Sequence, residues 1–189
     1  SLPGSPEMNQ DEITAVVEVG HQSGVKVAAH AHGAESIKQA ILAGVDSIEH
    51  ASLIDNEGIN LAKAEGVALS MDIYNGDYIN TVGAAENWPE EFLRKNRETT
   101  DLQRENFTKA HKAGVIIVYG TDAGVYPHGD NAKQFAYMVD WGMTNLEAIQ
   151  SATIAAAKVM GWEDQVGIIK QGYFADLVAV RDNPLLNIQ

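Results

Sequence analysis

The sequence predicts an α/β fold built on a parallel sheet, and two observations carry the prediction. Short apolar, often β-branched runs alternate four times with amphipathic stretches. Each stretch also ends on a glycine, in Ser23-Gly24-Val25, Ala43-Gly44-Val45, Glu65-Gly66-Val67 and Ala113-Gly114-Val115. Helix, stop and strand therefore recur in one order, which favours parallel strands joined by helical crossovers.

The elements follow in turn. Asn9 or Asp11 caps a helix to about Ser23, with Ile13, Val16, Val17 and Val19 as its apolar stripe. Residues 25–30 (VKVAAH) read as a buried strand. Gly33 opens a helix through Ala43, and residues 45–50 (VDSIEH) form the next strand. Asp55 caps a helix to Glu65, and residues 67–74 (VALSMDIY) are the third strand. A looser stretch with Asn75, Gly76 and Gly83 follows. Pro89 suits the first turn of a long helix to Ala113. Its run PEEFLRKNRETTDLQREN reads as a solvated face with i,i+4 ion pairs. Residues 115–119 give the fourth strand, and helices are expected over about 131–141 and 144–160. The last segment changes character. Lys170-Gln171-Gly172 separates two apolar runs in residues 166–180, which reads as a hairpin.

Composition narrows the function. The 189 residues suit one domain, and 45% apolar with 21% charged residues is ordinary for a globular chain. With 13 basic against 26 acidic residues the net charge is -13, which disfavours nucleic-acid or anionic-membrane partners. The absence of cysteine excludes disulfides and thiolate metal sites. No run is long enough to span a membrane. The opening SLPGSPEMNQ lacks a basic-then-apolar leader, so a cytoplasmic location is expected.

In parallel α/β folds, side chains just past the carboxyl ends of strands converge on one face. Here those ends supply His30, His50, Tyr74 and Asp122. Two imidazoles and a carboxylate suit a catalytic Zn²⁺ with a position left for water. Taken singly, each histidine reads as an ordinary hydrogen-bonding residue and Asp122 as a turn cap. Together at equivalent strand ends they favour a metal site, with Asp122 also accepting a proton from water. His32 lies two residues after His30 and shares its face in extended backbone. It reads as a ligand, a hydrogen-bond donor behind a ligand, a substrate contact or, equally, an ordinary loop histidine. His128, in VYPHGDN, reads as a loop residue or a pocket wall, and Tyr74 as packing under the site's mouth. His21 and His111 read as surface or helix-end residues. No glycine-rich phosphate loop is present.

VAAHAHG, SIEHAS, YGTDAGVYPHG, MTNLEAIQSAT and KQGYFADLVAV, in that order, resemble the amidohydrolase superfamily of metal-dependent hydrolases. The resemblance is nearest to its imidazolonepropionase and Xaa-Pro dipeptidase-like branch. It implies the C-terminal half of a TIM-type (β/α)8 barrel, strands five to eight with their helices, in residues 1–162. Residues 163–189 would add a strand segment of the companion β-sandwich. By this resemblance His30 and His50 match the ligands of the fifth and sixth strands. Asp122 matches the aspartate after the eighth, which binds metal and acts as general acid/base. Apart from the resemblance, His32, Tyr74 and His128 are the candidate substrate-binding residues.

The family's first-strand His-x-His pair and fourth-strand lysine have no match upstream of His30, and a whole barrel needs about 250 residues. The expectation is therefore a truncated C–N hydrolase of the dipeptidase type, acting on a dipeptide or related small molecule. Its cofactor would be Zn²⁺ or another divalent ion, weakly held, and the chain would be inactive alone. Uncovered strand edges would favour self-association as a homo-oligomer. A non-catalytic structural fragment is the competing expectation, with an imidazolonepropionase-like cyclic amidohydrolase as a further one.

Overall fold

The structure, a computed structural model, describes residues 4–189. Helix α1, Gln10–Gln22, is closed by a reciprocal cap: the Asn9 side chain accepts from the Glu12 amide, and the Glu12 carboxylate accepts from the Asn9 amide. There follow β1 (Ala28–Ala31), α2 (Ala34–Ala43), β2 (Ser47–His50), α3 (Asn56–Glu65) and β3 (Ala68–Ser70). A short α4 (Asn75–Tyr78) runs into a π-helical turn, Ile79–Gly83, and then α5 (Glu90–Ala113) leads to β4 (Ile117–Val118). A 3-10 turn (His128–Asp130) and helices α6 (Lys133–Asp140), α7 (Asn145–Ser151) and α8 (Ile154–Met160) complete the order. The glycine stops behave as the sequence expects: Gly44 closes α2 at φ 92, a left-handed conformation that strains any other L residue.

All four strands are parallel and lie in chain order, β1-β2-β3-β4. Each connection steps to the next neighbour without reversal, as in one arc of a singly wound barrel and unlike a doubly wound sheet. The register explains the two faces. Ala29, Ile48, Leu69 and Ile117 pair in one row across the sheet. Ile48, Leu69 and Ile117 are buried and join Ile37, Ile41, Ile59, Phe107 and Ala110 of the helices in the core. His30, Glu49, Ser70 and Val118 form the neighbouring row, which faces the other way. Apolar residues thus face the helices, and the polar residues line the opposite side.

Several expectations need correction. The expected strand at residues 25–30 is paired only over Ala28–Ala31. Lys26 and the Val27 amide turn instead to the Asp46 carboxylate, at 2.8 Å each. The third strand stops at Ser70, and the stretch from Asn75 that reads as loose is helical. The single helix expected over 144–160 is two helices, α7 and α8. The Ser151 carbonyl accepts from the Tyr119 amide at 3.1 Å, so it is drawn to the end of β4 and the helix opens there. The expected hairpin at 166–180 forms no strand pair. Its turn exists, with Tyr173 N–H donating to the Lys170 carbonyl, but the flanking apolar runs do not ladder. Ile169, Val178 and Leu186 are 91%, 90% and 84% exposed.

Nor is α5 only a solvated helix. Its outer face carries the expected Lys95–Glu91 and Arg94–Glu98 pairs. Gln103, Arg104 and Asn106 form a second, buried polar face turned to the sheet. No helix among the described residues is long and apolar enough to cross a membrane.

Candidate metal centre

His30, His32 and His50 meet at the carboxyl ends of β1 and β2. Their ring centroids are 4.5 to 4.7 Å apart. In register, His50 pairs with Ala31, so extended backbone would send its ring to the side away from His30. The chain leaves β geometry at this point, with His50 at φ 71 and Ala51 at φ 48. That left-handed turn brings the three imidazoles together. Asp122, just beyond β4, is also left-handed at φ 52. Such non-glycine conformations cost on the order of 1–3 kcal/mol each and persist where surrounding contacts enforce them.

Behind His50 stands Asp72, in the loop after β3. Its Oδ1 accepts from His50 Nδ1 at 2.9 Å and from Gln103 Nε2 at 2.9 Å, and its Oδ2 accepts from Asn75 Nδ2 at 3.0 Å. Asn75 Nδ2 also donates to Asp122 Oδ2 at 3.1 Å and so ties the two carboxylates together. Helix α5 braces the same loops. Arg104 Nε donates to the Ile73 carbonyl and Asn106 Nδ2 to the Ser52 carbonyl, both at 3.0 Å. Gln134, on α6, clips the β3 exit from the other side, donating to the Met71 carbonyl and accepting from the Tyr74 amide.

Electrostatics follow from this packing. Burial and the neighbouring His50 hold His30 below its ordinary pKa. Burial, followed by the other two imidazoles, presses His32 down to about 4. Burial also disfavours charge on His50, but the hydrogen bond and charge of Asp72 outweigh it and raise its pKa. Burial likewise opposes ionisation of Asp72, yet His50, Asn75 and Gln103 pull its carboxyl down to about 2. Asp122 is pushed up, first by burial and then by the charge of Asp72.

The sequence-derived residues do not all converge. His30 and His50 lie together, with ring centroids 4.5 Å apart, and Asp122 groups with His50 and Asp72, whose ligand atoms lie within 4.8 Å of one another. His32 stands inside the cluster, its Nδ1 2.9 Å from Ser52 Oγ. Tyr74 is buried, its ring against Tyr126 and Tyr137. His128 is exposed, and no hydrogen bond, ion pair or ring contact among the described residues ties its side chain to the cluster. His21 and His111 are peripheral, paired with Asp46 and Glu147. Asp72, Asn75 and Gln103 were missed by sequence reasoning. Asp72 follows the true end of β3 by two residues and obeys the strand-end rule that singled out the others. Imidazole nitrogens with carboxylate oxygens close behind form a donor set that fits a first-row divalent ion such as Zn²⁺.

The family model "Amidohydrolase family" matches residues 1–189. Ochratoxinase from Aspergillus niger is 33% identical over 189 residues, 99% of this chain and 39% of its own. Imidazolonepropionase from Cutibacterium acnes is 25% identical over 176 residues, covering 90% of this chain and 39% of its own. The crystal structure of a Xaa-Pro dipeptidase with methionine bound in its active site superposes with a TM-score of 0.93 and 42% identity, covering 98% of this chain and 46% of that one. The chain thus spans less than half the length of these relatives.

Proposed function

The chain belongs to the amidohydrolase family, and from that premise we propose that it serves the metal-dependent hydrolysis of C–N bonds in small amides, with Xaa-Pro dipeptides as the first substrate class. The observation that carries the reading is the pair of clusters that share His50 at the strand ends, His30 and His32 on one side and Asp72 and Asp122 on the other. The 42% identity to a Xaa-Pro dipeptidase supports the substrate class.

In this reading His30, His50 and Asp122 hold a divalent ion, Zn²⁺ first. Once bound, the ion polarises the scissile carbonyl and acidifies the attacking water toward neutrality. Asp122 takes the proton released as the water oxygen adds to the carbonyl carbon, and returns it to the nitrogen as the C–N bond breaks. Asn75 fixes the direction of the Asp122 carboxylate, and Asp72 fixes the ring of His50. Tyr74, His32 and His128 contact the substrate. Residues 1–162 supply the last four strands of a barrel and residues 163–189 part of a companion sandwich. The ligands carried by the first strands of such barrels complete the centre. Copies of the isolated chain associate through the unpaired edges of β1 and β4 and the apolar tail.

The test is hydrolysis of Ala-Pro and Gly-Pro by the Zn²⁺-loaded protein, with and without EDTA, beside Asp122→Asn. Turnover lost to both treatments supports the reading. Turnover that survives both refutes it, and the absence of both turnover and bound metal supports the alternative of a non-catalytic structural fragment.

A further inference from the structure

We propose that Asn75 is a site of spontaneous covalent modification. Its side-chain amide is lost to attack by the Gly76 nitrogen, and the product is an aspartyl or isoaspartyl residue set between Asp72 and Asp122. Of the chain's asparagines, Asn75 alone is followed by glycine. Without a Cβ, the glycine nitrogen is the least hindered backbone nucleophile. The packing also forbids a bulkier neighbour. A Cβ on Gly76 would stand 2.4 Å from Thr100 Oγ1 and 2.5 Å from its Cγ2. The reactive pair is therefore imposed by the contact between α4 and α5.

The reaction needs only water as co-reactant. The Gly76 nitrogen adds to Asn75 Cγ, the Cγ–Nδ2 bond breaks, and the glycine proton leaves with that nitrogen as ammonia. Water then opens the five-membered imide at either carbonyl and leaves a carboxylate. The Gly76 N–H has no acceptor among the described residues, and Asn75 Oδ1 is buried without a partner. The nucleophile and the carbonyl it attacks thus hold no protein partner that must be broken first. What disappears is the Nδ2 donor, which bridges Asp72 Oδ2 at 3.0 Å and Asp122 Oδ2 at 3.1 Å. A carboxylate in its place faces two others of like charge.

Helical backbone turns the Gly76 nitrogen away from Cγ, so the ring closes when α4 opens. That helix is four residues long, has no side-chain cap and passes into a π-helical turn. Such a segment is marginal by itself and is held by tertiary contacts. Asn96 Nδ2 donates to the Gly76 carbonyl and to Asn80 Oδ1, each at 2.9 Å. Arg104 Nη2 lies 2.9 Å from Asp77 Oδ1, and the Tyr137 hydroxyl donates to Asp77 Oδ2. These contacts set the rate of modification.

The experiment incubates the purified full chain, without added metal, at body temperature in a mildly alkaline buffer made with heavy-oxygen water. Digestion and mass spectrometry score every asparagine for loss of ammonia and uptake of labelled oxygen. Chromatography separates the aspartyl from the isoaspartyl peptide. Asn75 should convert before every other asparagine and yield both isomers. Asn96→Ala releases the Gly76 carbonyl and should speed conversion by about 2- to 10-fold, the factor carried by one hydrogen bond. Tyr137→Phe drops the bond to Asp77, keeps the ring and should act in the same direction; it decides the matter if circular dichroism finds Asn96→Ala unfolded. Conversion at Asn75 no faster than at the other asparagines overturns the proposal. So does conversion confined to urea-unfolded chain, or a rate unchanged in the folded variants. None of these readouts needs bound metal or turnover, so failure here leaves the hydrolase reading standing. Failure to hydrolyse Ala-Pro and Gly-Pro leaves the modification standing.

Discussion

Gln134 offers the sharpest test of how the centre is supported. Its side chain is 0% exposed and reaches across from α6 to the loop that carries Asp72. Nε2 donates to the Met71 carbonyl at 2.7 Å, and Oε1 accepts from the Tyr74 amide at 2.9 Å. Met71 is fully buried and Tyr74 nearly so. Gln134→Met preserves length and most of the volume and removes both bonds, leaving a backbone carbonyl and a backbone amide without a partner or access to water. Each such orphan costs about 1–3 kcal/mol, so the variant should lose about 2–6 kcal/mol. Against a total of about 5–15 kcal/mol for a domain, that is a large fraction. Urea unfolding followed by circular dichroism, with linear extrapolation at neutral pH, measures the loss as a lower midpoint at unchanged slope. Because the loop also carries Asp72, Zn²⁺ affinity should fall in parallel. A Gln134→Met variant within about 0.5 kcal/mol of the parent, a change typical of neutral surface sites, would refute the argument that this clip holds the loop.

Three further substitutions probe other levels. Phe107→Ala removes a fully buried ring from the face of α5 that packs on the sheet and should cost about 3–5 kcal/mol, read by calorimetric melting. Gly120→Ala would set a Cβ 2.0 Å from Ser70 Oγ and should cost about 1–3 kcal/mol; adding Ser70→Ala removes the clashing oxygen and should restore most of it, a coupling that a double-mutant cycle in urea measures. Asp46 resists ionisation by its burial, but Lys26, the Val27 amide and His21 outweigh that and lower its pKa. A carboxylate held below its unfolded value, about 3.9, contributes stability above that pH and loses it as pH falls through the folded pKa. The gap between parent and Asp46→Asn should therefore be constant near pH 7 and close below about pH 4, which urea midpoints across that range would follow.

Local chemistry made much of this legible from residue types. Asn9 with Glu12, Thr144 with Glu147, and Asp55 before α3 all cap as their spacing implies. The glycine stops place each strand to within a few residues, and strand ends then locate His30, His50 and Asp122. Buried polarity was not legible. Gln103 and Arg104 sit among charged neighbours, and a one-dimensional pattern does not distinguish a polar face in water from one bonded to a loop. Asp72 does not stand out in sequence because VALSMDIY looks like unbroken strand, whereas pairing with β4 ends at Ser70. The break between α7 and α8 has no glycine or proline to announce it, since its cause is a long-range bond to Tyr119. The left-handed turn at His50 is equally silent in sequence, because it is imposed by what the ring must reach.

The bare C-terminal run has a practical consequence for anyone preparing these 189 residues. Ile169, Val178 and Leu186 lie almost wholly in water, so protein concentration and salt type should govern handling. Sulfate, which strengthens apolar burial, should drive the chain into larger particles sooner than chloride at equal ionic strength. Trimming after Gly161, where α8 closes, would remove that liability and leave the histidine triangle untouched.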